Sequence, residues 1–161
     1  MAHQVYLSLG TNLGERLTNL QVALDVLQAN LTLRQASSIY ETEPWGYLDQ
    51  PSFLNQVLEM EISAYSPLEL LHYLKQLEKS VGRKPSFHYG PRLIDVDILY
   101  FNAAVMNTAE LVIPHPHLAE RAFVLVPLAE IAPDFCHPVL HATTLELLQK
   151  IDRQGVKRYQ P

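Results

Sequence analysis

Two stretches of helical period, each set between stretches that alternate with period two, constrain this chain more than any other feature. The clearer helix begins at Ser66-Pro67-Leu68-Glu69, a capping box with proline at the first helical position. Leu71, Leu74, Leu77 and Val81 form its apolar stripe, and Gly82 is its stop. The other helix runs from Glu15 to about Asn30, with Leu17, Leu20, Leu24 and Leu27 at helical spacing. Ahead of it, "VYLSLG" (5–10) alternates as a strand that ends at Gly10. "LTLRQASSIYETEP" (31–44) reads as a second strand that stops before Pro44. "FLNQVLEMEI" (53–62) is a third, with Leu54, Leu58, Met60 and Ile62 toward the core and Phe53, Asn55 and Val57 on the opposite face. A fourth covers "LIDVDILYF" (93–101).

The order strand, helix, strand, strand, helix, strand predicts an α+β fold. The expected form is a ferredoxin-like antiparallel sheet, a βαββαβ core with helices on one face. The opposite face is then left for loops and ligand. Additional C-terminal elements follow: a candidate strand in "VMNTAELVI" (105–113), helical segments in "HLAERAFVLVPLAEI" and "TTLELLQKI", and a polar tail from Arg153. With 161 residues and no repeat or linker, residues 1–161 are expected to be a single domain.

The fourth strand raises a physical question. Leu93, Asp95, Asp97, Leu99 and Phe101 fall on one side of it, and Ile94, Val96, Ile98 and Tyr100 on the other. Two carboxylates on one half-buried face repel each other and lose hydration, so something positive belongs between them. Two readings meet that need. The pair can share one divalent ion or hold two, as Mg²⁺ does with a few carboxylates plus substrate phosphates. Alternatively, the two are surface aspartates, with Arg92 as the partner of one.

Net charge is −5 and the pI is near 5.7, which gives no general attraction to nucleic acid or to an anionic membrane. An anionic ligand therefore needs a local basic patch or a metal ion. Arg83, Lys84, His88 and Arg92 form such a patch within ten residues, and suit a polyphosphate or simply a solvated loop. "IPHPHLAERAF" (113–123) adds His115, His117 and Arg121, whose alternatives are phosphate contact, zinc ligation or an exposed helix start. Phe53 beside Asn55 pairs a flat ring with an amide, a combination suited to a flat heterocycle. The lone Cys136 excludes an intrachain disulfide framework and a Cys-only zinc site. The N-terminus lacks a basic start with an apolar run, and the longest apolar stretch is broken by Pro127 and Glu130. A cytoplasmic protein without membrane or nucleic-acid partners is expected.

With these residues in view, the chain resembles the 6-hydroxymethyl-7,8-dihydropterin pyrophosphokinase family. The likeness runs through "YLSLGTNLGER", "YETEPWG", "QPSFLNQV", "GPRLIDVDIL" and "PHPHLAERAFVLVPLAEIAPD". It implies a ferredoxin-like α+β fold and transfer of pyrophosphate from ATP to the pterin hydroxymethyl group, releasing AMP. By that resemblance Asp95 and Asp97 would bind two Mg²⁺ ions along the triphosphate. Arg83, Lys84 and Arg92 would neutralise phosphate charge, helped by His115 and Arg121. Phe53 and Phe123 would sandwich the pterin, Asn55 and the backbone around Thr42 and Pro44 would bond its edge, and Trp45 would sit in the loop over it. The basic loop departs from the family pattern: Lys84 stands for a second arginine, His88 for an arginine and Tyr89 for a tryptophan. A non-catalytic ferredoxin-like module that binds nucleotide or metal as a sensor and a kinase transferring the γ-phosphoryl group to a small heterocycle are the competing readings, and the latter would release ADP.

Overall fold

The computed structural model describes residues 2–43, 48–82 and 93–160. In chain order these form β1 (His3–Thr11), α1 (Arg16–Gln28), β2 (Thr32–Ala36), β3 (Tyr40–Thr42), β4 (Phe53–Ile62), α2 (Pro67–Ser80) and β5 (Asp95–Phe101). A small hairpin follows, β6 (Met106–Asn107) and β7 (Val112–Ile113), then a 3₁₀ turn at Leu118–Glu120. The chain continues through α3 (Ala122–Ile131), α4 (Thr144–Gln149) and β8 (Val156–Arg158). The main sheet has the order β5-β1-β4-β3-β8, with β2 also paired to β4, and every pairing is antiparallel. The fold is thus α+β around an antiparallel sheet. No described helix is long and apolar enough to cross a membrane.

Strand β1 is central. It pairs with β4 from His3↔Ile62 to Thr11↔Leu54, and with β5 on its other edge. Its alternation sends Val5, Leu7 and Leu9 into a core shared with Leu20, Ala23 and Leu27 of α1 and Leu70, Leu74 and Leu77 of α2. The α1 stripe is narrower than its leucine spacing implies, because Leu17 is 39% exposed while Ala23 is fully buried. Helix α2 starts as its sequence dictates. Ser66 Oγ accepts from Glu69 N–H at 3.3 Å, and the Glu69 carboxylate accepts from Ser66 N–H at 2.9 Å. Gly82 follows with φ +98°, the left-handed conformation that ends a helix.

Four expectations are corrected. The anticipated second strand is two, β2 and β3. The break falls at Ser37, whose Oγ accepts from Val57 N–H at 2.9 Å and whose carbonyl accepts from the Gln56 side chain at 2.9 Å. A hydroxyl that bonds the neighbouring backbone interrupts a strand locally. The polar tail contributes β8, an edge strand on β3 with two exposed residues, too short and too polar to show a period. The face opposite α1 and α2 is only partly open. Tyr6, Val57, Leu99 and Tyr100 are buried there under Val124, Leu125 and Leu128 of α3 and Leu147 and Leu148 of α4. Helix α3 is apolar nearly all round and has to bury more than one side.

The fourth correction concerns β5. Register shifts against β1 between Tyr6 and Leu7, pairing Tyr6 with Tyr100 and Leu7 with Ile98 and leaving Leu99 as an extra residue. Leu99 and Tyr100 therefore both enter the α3 side, and Phe101 joins the α1–α2 core. The two aspartates precede the bulge and keep their common face, opposite Val96 and Ile98.

Beside that second core, His137 is 6% exposed, and its Nδ1 accepts from Val139 and Leu140 N–H at 3.2 and 3.0 Å. Burial, with His141 adding to it, lowers its pKa from the ordinary 6.5. The unfolded chain then takes up this proton before the folded one, so stability falls as pH drops below about 6.5. Melting temperature followed from pH 7 to pH 5 should fall more steeply in the wild type than in His137→Asn, whose amide oxygen can still accept both bonds. Parallel slopes would remove His137 as the cause.

Candidate active site

The residues singled out in the sequence converge on the end of the sheet where β1 finishes. Across the strands, Asp95 of β5 lies opposite Gly10 of β1, Gly10 opposite Asn55 of β4, and Asn55 opposite Tyr40 of β3. Asp95 and Asn55 are two strands apart, about 10 Å. Only a glycine separates them. A Cβ added to Gly10 would stand 3.3 Å from Asn55 Oδ1 and 3.7 Å from the Phe53 ring. Gly10 thus keeps an open lane between the carboxylates and the Phe53–Asn55 pair. Sequence reading took Gly10 as the end of a strand. It lies within β1, where a glycine marks close approach by another group.

Thr42 in β3 and Asn55 in β4 are both buried, and Asn55 Nδ2 donates to Thr42 Oγ1 at 2.7 Å. That bond fixes which end of the amide faces Gly10. Phe53 at the start of β4 is half-buried, two residues from Asn55 and on the same face. Phe123 in the first turn of α3 packs against the second core, which lies on this face, and the Arg121 guanidinium sits 5.5 Å from its ring centroid.

Asp97 lies two residues along from Asp95, opposite Ser8. Its carboxylate is 3.9 Å from His115 Nε2. His115 is brought there by a backbone bond from its N–H to Leu99 O at 3.1 Å. Burial first, then Arg121 and His117, lower its pKa to about 4 against a smaller opposing pull from Asp95. It is therefore neutral near pH 7, and the contact with Asp97 is not an ion pair. Nδ1 accepts from His117 N–H at 3.1 Å, so the ring hydrogen sits on Nε2, turned toward Asp97. Among the described residues, no group of three or more His, Cys, Asp or Glu is arranged to hold a metal. Two half-exposed carboxylates remain as hard oxygen donors, which suits an ion that completes its shell with phosphates and water.

Pro44, Trp45, Arg83, Lys84, His88, Tyr89 and Arg92 lie outside the described residues. Sequence reading missed one charged residue at the site, Glu78. It is 5% exposed on α2, and its carboxylate accepts from the N–H of Val96, between the two aspartates, at 2.9 Å. Only its position one residue from Leu77 on an apolar stripe hinted at burial.

The family model described as 7,8-dihydro-6-hydroxymethylpterin-pyrophosphokinase (HPPK) matches residues 6–133. The 2-amino-4-hydroxy-6-hydroxymethyldihydropteridine pyrophosphokinase of Bacillus subtilis is 43% identical over 160 residues, covering 98% of this chain and 90% of its own. A folic acid synthesis protein of Dictyostelium discoideum is 42% identical over 151 residues, 94% of this chain but 23% of its own length. The chain therefore spans less than a quarter of some curated relatives. Among solved structures, a Plasmodium falciparum HPPK-DHPS chain superimposes with a TM-score of 0.80 at 18% identity, over 98% of this chain and 49% of that one. At that identity the likeness concerns the fold.

The Asn55–Thr42 bond offers a direct check on this geometry. Asn55→Ala leaves the buried Thr42 hydroxyl without its donor, a loss of about 1–3 kcal/mol. A urea unfolding midpoint unchanged in Asn55→Ala would contradict it.

Proposed function

Because the chain belongs to the 7,8-dihydro-6-hydroxymethylpterin-pyrophosphokinase family, we propose that it transfers pyrophosphate from ATP to the hydroxymethyl group of 6-hydroxymethyl-7,8-dihydropterin, releasing AMP, in folate biosynthesis. The observation that carries this reading is the single lane along Asp95, Gly10 and Asn55. It sets a pair of carboxylates at one end and a ring with an amide at the other. A polyphosphate at the first end and a flat heterocycle at the second would bring a hydroxyl and a phosphorus atom together over Gly10.

On this reading Asp95 and Asp97 hold two Mg²⁺ ions, a role that the hard, half-exposed oxygen donors fit. Bound magnesium would supply charge neutralisation for the phosphoryl oxygens and orientation of the attacking hydroxyl. The protein's own part is positioning and electrostatics, since phosphoryl transfer needs little covalent chemistry from side chains. Arg83, Lys84, Arg92 and Arg121 are assigned to the ATP phosphates. His115 joins them as a neutral Nε2–H donor, in keeping with its low pKa and its Nδ1 bond. Thr42, Pro44, Trp45, Phe53, Asn55 and Phe123 are assigned to the pterin. Asn55 would present its Oδ1 to the ring edge while Nδ2 stays on Thr42.

We also read the core as ferredoxin-like. The order β5-β1-β4 with β2 on the far edge of β4 supports this, as do α1 and α2 packed on one face. Residues 1–161 are proposed to be one pyrophosphokinase domain, since β8 pairs into the same sheet as β1. Its proposed partners are small molecules and its proposed setting the cytoplasm, in keeping with the single free cysteine, Cys136.

The test is product identity. With ATP, Mg²⁺ and 6-hydroxymethyl-7,8-dihydropterin, AMP should appear in step with the pterin diphosphate. Asp95→Ala or Asp97→Ala should each lower the rate by about a hundredfold or more, and removal of divalent ions by EDTA should abolish turnover. ADP as the nucleotide product would replace this reading with γ-phosphoryl transfer.

A further inference from the structure

Thr11, the last residue of β1, and Asn12, the residue after it, are polar and 0% and 1% exposed. Buried polar side chains persist where their bonds are satisfied, and here those bonds run to the two chain segments that flank the site. Thr11 Oγ1 donates to the carbonyl of Leu93, two residues before Asp95. The same oxygen accepts from Asn19 Nδ2 at 3.1 Å, and that amide also donates to Leu13 O at 2.8 Å. The Thr11 hydroxyl is thereby fixed in direction. Asn12 Nδ2 donates to Gln50 Oε1 at 2.8 Å and to the carbonyl of Pro51 at 2.9 Å. The next carbonyl, Ser52, accepts from Arg16 Nη1 at 3.0 Å, and the same nitrogen pairs with Glu41 of β3 at 2.7 Å. Phe53 is the next residue.

Two adjacent side chains at the end of the central strand therefore hold the approach to the aspartates and the approach to the ring-and-amide pair. We propose that Thr11 and Asn12 are positioning residues that set these two segments relative to each other, so that the phosphate and heterocycle ends of the site are aligned from one point where β1 ends. The proposal rests on the pyrophosphokinase reading for its substrates but not for its geometry. Displacement of either segment misplaces reacting atoms held at opposite ends of the lane, and a shift of about 1 Å can cost on the order of a hundredfold in rate.

Steady-state kinetics on the full chain separate positioning from mere stability. Thr11→Val keeps the shape and removes the hydroxyl. Thr11→Ser keeps the hydroxyl. Asn12→Ala removes the second anchor. The expected result is that Thr11→Val and Asn12→Ala each raise KM for both ATP and the pterin and lower kcat, by about tenfold or more in kcat/KM. Thr11→Ser should stay near wild type, and the double variant should lose less than the product of the single losses. A lower Tm with unchanged kinetic constants overturns the proposal, as does a change confined to the substrate on the variant's own side. Hydrogen exchange supplies a readout that needs no turnover. In Thr11→Val, the amides of residues 50, 52 and 53 and those of 93–96 should lose protection together, whereas loss at 93–96 alone overturns the coupling. If the wild type makes no AMP, the functional reading fails while the exchange result still decides the placement.

Discussion

Double-sided pairing of β1 is the constraint on which the rest depends. A strand hydrogen-bonded along both edges leaves its side chains only two directions, and β1 uses each differently. Its aliphatic residues bind α1 and α2 to the sheet. Its other face runs from Tyr6 in the second core through Ser8 to Gly10, so bulk falls away toward the end where the carboxylates and Asn55 stand. The site is thus a place where the central strand stops supplying side-chain volume. Neighbouring strands supply the chemistry, and β1 supplies the space and the frame.

Electrostatics at that end follows from the same geometry. Asp95 and Asp97 are kept out of the apolar core by their face of β5, while the backbone between them is tied inward to the buried Glu78 carboxylate. His115 is held close to Asp97 yet neutral, because burial and the neighbouring Arg121 guanidinium disfavour its charged form more than Asp95 favours it. The carboxylates are thus strong acceptors with the neutral His115 Nε2–H turned toward Asp97. Such an arrangement attracts cations first and, through them, polyanions.

Much of this was legible in the residues. The capping box at Ser66 and Glu69 and the alternation in β1 and β4 each have a local cause, so local reading found them. Asp95, Asp97, Phe53 and Asn55 stood out because polar or ring residues broke an apolar alternation. Features that depend on a partner strand were not legible. The split at Ser37 requires Val57 to be opposite it, and the bulge at Leu99 requires the register against Tyr6 and Leu7. Strand β8 is stabilised by β3 and carries no pattern of its own. Gly10, Thr11 and Asn12 were passed over for the same reason, since their meaning lies in what approaches them from Asn55, Leu93 and Gln50.

The bulge at Leu99 also bears on how this strand can change over generations. Substitutions before it alter the polar end and substitutions after it alter packing, so the two halves can drift separately. Length has slack of one residue at the same place. Leu99 is the extra residue, so its loss would close the bulge and restore strict alternation, with Ile98 and Phe101 still on the α1–α2 side and Tyr100 still on the α3 side. The second core would lose one leucine side chain, while the two aspartates would keep their face. The bulge is thus a joint at which β5 can shorten without turning either of its halves over.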